Sequence, residues 1–93
     1  MEATTNREKE LLAVLNACSG LLSDSVCLHV QQLVRAGHWG IAFEELCSYL
    51  HEANVALTRR VSKKIERVGS QMGLDPVYWQ SLRKKTTRSI FRL

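Results

Sequence analysis

Breaks are few in this chain. Its single proline is Pro76, and its five glycines stand at positions 20, 37, 40, 69 and 73. Between those marks apolar residues recur at intervals of three and four, the spacing that lays one stripe along an α-helix. No segment alternates apolar and polar residues as a half-buried strand does. With 93 residues there is room for one domain and one core. The expected fold is all-α, a single compact bundle of about five short helices spanning residues 1–93.

The first helix is expected over 6–19, with Asn6 as N-cap, Glu8 and Glu10 at the positive end of its dipole, and Gly20 as its stop. Leu11, Val14, Leu15, Cys18 and Leu22 form its stripe. The second is expected over 24–36, capped by Ser23 or Asp24 and closed by Gly37. Val26, Cys27, Val30, Leu33 and Val34 make its core face, and Leu28 falls on the opposite side. The third is expected over 39–53, with Trp39, Ala42, Phe43, Leu46, Leu50 and Ala53 in one stripe, flanked by Cys47 and Tyr49. Thr58 caps a fourth helix over 59–72 whose stripe is Val61, Ile65, Val68 and Met72. Gly69 inside it costs about 1 kcal/mol relative to Ala, which points to a close helix crossing. Asp75 and Pro76 read as a cap and a first helical residue. They open a fifth helix over 76–83 that carries Val77, Tyr78, Trp79 and Leu82 as an apolar segment. The basic tail, 83–93, extends that helix, docks or frays.

Net charge, +4, conceals two opposed halves. Residues 1–58 hold three Lys and Arg against seven acids, which is −4, and residues 59–93 hold ten against two, which is +8. Such asymmetry speaks to partners rather than fold. The three cysteines, Cys18, Cys27 and Cys47, have no paired spacing and sit on or beside apolar stripes, so they read as buried thiols in a reducing compartment. The opening “MEATTNREKE” lacks an apolar leader core, and no apolar run approaches about 18 residues. A cytoplasmic protein with no membrane role is expected.

There is no phosphate-cradling glycine loop, nucleophile elbow, zinc-protease helix or calcium loop. Cys47 and His51, four apart on one helix, are the nearest approach to a nucleophile and base, and no orienting Asn or Asp accompanies them. Cys27, His29, His38, Cys47 and His51 lack the paired spacing of a zinc site. The expectation is no catalytic residue, no metal and no cofactor. What remains is one face of the third helix. At about 100° per residue, Glu44, Glu45, Ser48 and Glu52 fall away from the core stripe, edged by Tyr49 and Ile41. Acids beside an aromatic make a mixed patch suited to a protein partner, and Glu44, Glu45, Ser48, Tyr49 and Glu52 are the candidate contacts.

The stretch “LVRAGHWGIAFEELCSYLHEANVALT”, followed by “IERVGSQMGLDPVYWQSL”, resembles the MafI-like immunity proteins of bacterial toxin systems, including small immunity proteins of contact-dependent growth inhibition. The residues that carry the resemblance are Gly37, Trp39, Gly40, Ile41, Ala42, Phe43, Glu44 and Leu46, then Ile65, Glu66, Gly69, Met72, Gly73, Leu74, Asp75, Pro76 and Trp79. They span roughly 33–82, over half the chain. The resemblance implies a small, cytoplasmic, non-enzymatic helical protein. It would bind the toxic C-terminal domain of a surface-delivered toxin, an EndoU-type or other ribonuclease among the options, and occlude its active site. The overall basic charge departs from what an inhibitor of a nuclease often presents. Either the acidic strip enters a cationic substrate channel, which is the reading preferred here, or the basic half meets an acidic toxin surface. A second functional reading is a small nucleic-acid-binding or regulatory protein that uses Arg59, Arg60, Lys63, Lys64, Arg67 and the “RKKTTR” segment. The toxin-inhibitor reading places no nucleic acid among the partners.

Overall fold

The computed structural model of the chain describes residues 6–85. Over them run α1 (Asn6–Ala17), α2 (Asp24–Arg35), α3 (Trp39–Ala53), α4 (Arg59–Gln71) and α5 (Val77–Gln80), with a 3-10 turn, Ser19–Leu21, after α1. The fold is the expected all-α bundle. No strand forms among the described residues, only an isolated parallel bridge between Leu57 and Lys84. None of their helices is long and apolar enough to cross a membrane. The expectations for Ile90, Phe91 and the rest of 86–93 lie outside the described residues.

Local chemistry explains most boundaries. Ser23 caps α2 and Thr58 caps α4, each hydroxyl accepting from the backbone N–H three residues on, at 3.2 Å. Both helices end in the same double turn. In α2, His38 N donates to Leu33 O at 2.9 Å and Gly37 N to Val34 O at 3.0 Å. In α4, Leu74 N donates to Gly69 O at 3.1 Å and Gly73 N to Ser70 O at 3.0 Å. That closure needs a left-handed residue just past the helix, and Gly37 (φ 87°) and Gly73 (φ 74°) supply it. Asn54 (φ 52°) plays the corresponding part after α3.

Four helices differ from expectation at their boundaries. α1 stops at Ala17, and Gly20 lies within the 3-10 turn that follows. α2 and α4 each stop one residue early, because Ala36 and Met72 belong to the closing turns. α5 is a single turn rather than a helix over 76–83. Asp75 Oδ1 accepts from Val77 N at 3.0 Å and starts the turn. After Leu82 the chain becomes extended, because Leu57 N donates to Arg83 O at 2.9 Å and Lys85 N to Leu57 O at 2.7 Å. Arg83 Nη1 also donates to Asn54 O at 3.0 Å. The first residues of the tail therefore dock against the loop between α3 and α4.

α3 is the central element, packed against α1, α2 and α5. Ala42, Phe43, Leu46, Cys47 and Leu50 are buried along it. Fully burying a Leu or Phe side chain stabilises by about 1.5–3 kcal/mol, so this face dominates the cohesion of the bundle. They meet Leu11, Val14, Leu15 and Cys18 from the α1 region, Val30 and Val34 from α2, and Ile65 and Val68 from α4. Two expected stripe residues fall short: Ala53 is exposed at the helix end, and Trp39 is half-buried with its Nε1 donating to Val34 O at 3.1 Å. Cys47 is core rather than border. Gly69 serves a different contact from the expected helix crossing. A Cβ placed there would stand 2.3 Å from Cζ3 of Trp79, so the glycine makes room for the indole of α5. Phe43 meets that ring edge-on, with centroids 5.8 Å apart and planes at 82°.

Candidate functional site

Docking α5 onto α3 does more than close the core. Trp79 and Leu82, three apart, share the inward side of the last segment and are both buried. That orientation turns Val77 outward, 60% exposed, and leaves Tyr78 half-buried at the edge. Between this edge and the outer face of α3 lies an open groove of about 670 Å³. Glu44, Glu45, Ser48, Tyr49 and Glu52 all line it, so the five residues singled out on one helix wheel share one concave surface. Val77, Tyr78 and Ser81 form the opposite wall.

Two of the acids are held in place from opposite sides. Glu45 Oε1 meets His29 Nε2 of α2 at 2.7 Å. The same imidazole stands edge-on to Tyr49, with centroids 6.3 Å apart and planes at 90°. Across the groove Tyr78 faces Glu44, whose negative charge, together with a hydrogen bond to its carboxylate, raises the Tyr78 phenol above its ordinary range. The phenol thus stays protonated, with its proton donated to Glu44. Glu52 forms no ion pair among the described residues. Three carboxylates line the groove and no Lys or Arg does, so its potential is negative. Ile41, 51% exposed, lies one helical turn before Glu45 on the same face. Val77 gives the groove itself an exposed aliphatic side chain, and Ile41 stands beyond its lining.

Val77, Tyr78, His29 and His51 belong to this site and were not assigned to it from sequence. For α5 the signal existed: the Trp79–Leu82 spacing alone fixes which side points inward. For His29 there was none, since its approach to Glu45 depends on how α2 packs against α3.

The groove also contains Cys47 and His51. The thiol is the wrong species for a nucleophile. Burial, then the nearby charges of Cys18 and Glu44, push Cys47 up to about 12, and burial pushes Cys18 up to about 11. A reactive cysteine needs displacement the other way. All three thiols are free, with Cys27 half-buried and the other two buried. A thiol-specific chromogenic reagent at neutral pH should therefore modify Cys27 first and reach Cys18 and Cys47 only on unfolding. Equal rates at all three would contradict this core. Raised thiol pKa values leave stability intact below about 9, the ordinary value, and erode it as pH climbs towards 11 and 12. Urea midpoints measured from pH 8 upward should show that decline.

Among the described residues no group of three or more His, Cys, Asp or Glu is placed to hold a metal ion. No protein-family model matches the chain, and no curated protein or solved structure matches it.

Proposed function

We propose that this chain is an immunity protein, a stoichiometric inhibitor that binds the toxic C-terminal domain of a bacterial toxin and occludes its active site. The observation that carries the reading is the α3–α5 groove, which gathers Glu44, Glu45, Ser48, Tyr49 and Glu52 and adds Tyr78 and Val77. The sequence pattern over 33–82 supports it independently. A toxin that cleaves nucleic acid has to hold a polyanion, so its substrate channel presents cations. Carboxylates fixed on a rigid helix complement such a channel and speed encounter with it. Tyrosines and an exposed aliphatic side chain at the same place supply the desolvated anchors that give a complex its lifetime. The chain performs no chemistry in this reading; it fills space that substrate needs. The protein acts in the cytoplasm, where the toxin domain is delivered.

Co-expression with the cognate toxin domain tests this directly. Cells carrying both should survive induction, and the two proteins should co-purify at one-to-one stoichiometry. Equal killing with and without this chain would overturn the proposal.

A further inference from the structure

The basic half of the molecule is not used by the groove. On α4, Arg60, Lys63, Lys64 and Arg67 follow the spacing that puts side chains on one helix face. Arg60, Lys63 and Arg67 are exposed and point away from the side that buries Ile65 and Val68. The tail adds to them in a way the sequence did not reveal. The pairing of Leu57 with Arg83 and Lys85 lays the tail beside the residue that precedes the Thr58 cap, so Lys84 and Lys85 stand at the head of α4. Both are exposed. Cations at the start of a helix oppose its dipole. Among the described residues none of these cations forms an ion pair, the one pair being His29 with Glu45, and Glu66 is the single acid on α4. Mutual repulsion is retained on a surface that pays for it in stability.

We infer that the face formed by Arg60, Lys63, Lys64, Arg67, Lys84 and Lys85 binds the phosphate backbone of a nucleic-acid duplex. Charge complementarity selects a polyanion, and the surroundings select which. Among the described residues the exposed large apolar side chains are Leu28, Ile41 and Val77, on α2, α3 and α5, so the described part of the basic face has none to insert into a membrane. Neither α4 nor residues 83–85 carry an aromatic residue, so there is no platform on which unstacked bases could stack. What remains is a row of point charges and guanidinium groups, which suits regularly spaced phosphates and reads no sequence. Duplex RNA and duplex DNA both supply that backbone. This surface is separate from the groove and does not depend on the toxin-inhibitor reading.

The test is a titration of the full chain against blunt duplexes of roughly 20 base pairs, one RNA and one DNA, with the matching single strands and anionic phosphatidylserine vesicles alongside. Neutralising about four phosphates implies an affinity that falls roughly 100-fold between about 50 and 200 mM salt, with little dependence on sequence. The RNA and DNA arms then decide which backbone is preferred. Replacing Arg60→Gln, Lys63→Gln and Arg67→Gln together should weaken binding at low salt and flatten the salt slope by about three. These side chains are exposed, and an unchanged helical spectrum would show the fold intact. Glu45→Lys with Glu52→Lys should not weaken duplex binding. No duplex binding at low salt, tighter binding to single strands or vesicles, or a triple variant indistinguishable from the parent would each overturn the inference.

Discussion

Trp79→Ala should lower the unfolding free energy by about 3–5 kcal/mol, the range for emptying a buried aromatic site. That is a large share of the roughly 5–15 kcal/mol that holds a small domain together. The indole joins three elements. It is buried, rests over Gly69 of α4 and meets Phe43 of α3 edge-on. α5 has only one turn of its own, so it has little to hold it except this contact and the Leu57 pairing. A sharper result concerns Gly69. With Trp79 present, Gly69→Ala forces a Cβ to within 2.3 Å of a rigid ring and should destabilise by about 2–3 kcal/mol, at the upper end of overpacking. In the Trp79→Ala background the obstacle is gone. The same substitution should then stabilise, by up to about 1 kcal/mol, through helix propensity. Urea denaturation of the four proteins in this cycle measures the change of sign directly. If Gly69→Ala is destabilising to the same degree in both backgrounds, the glycine is not there for the indole. Should Trp79→Ala fail to fold, Trp79→Phe provides a milder background for the same comparison.

The elements that sequence made legible are those whose ends are written locally. Ser23, Thr58, Gly37 and Gly73 mark where α2 and α4 begin and end within a few residues of the boundary, and α3 runs over the expected span. α5 was overextended because its end is set by a hydrogen bond to Leu57, a partner 26 positions before Arg83, which no local pattern encodes. Cys47 was placed on the border of its stripe by angle alone. It is buried close enough to Cys18 for that thiol to add to the effect of burial on its ionisation, a consequence of α1 packing on α3. The groove divides in the same manner. Its α3 wall was readable from one helix wheel. Its second wall, and the His29 contact that fixes Glu45, required knowing which elements meet.

Reversing two charges in that groove separates site from fold. Glu45→Lys with Glu52→Lys should lower affinity for the partner toxin domain by about 100-fold, roughly 1.4 kcal/mol for each charge. Stability should scarcely move. The His29–Glu45 pair has side chains 46% and 40% exposed, and exposed pairs contribute only about 0–1 kcal/mol. Glu52 is exposed and has no ion-pair partner among the described residues to lose. The kinetic form of the loss is also specified. Charges at a rim steer encounter, so the association rate should fall and lose its salt dependence, whereas Tyr78→Ala, which removes an anchor, should act on dissociation. Calorimetric or surface-based binding measurements across a salt series resolve the two. Unchanged affinity in the double reversal would place the interface elsewhere, and the basic face of α4 would then be the surface to test, with an acidic region of the toxin as its counterpart. Loss of affinity at both surfaces would require the toxin to contact opposite charges at once, which a bipolar chain of this kind permits only if the partner is itself bipolar.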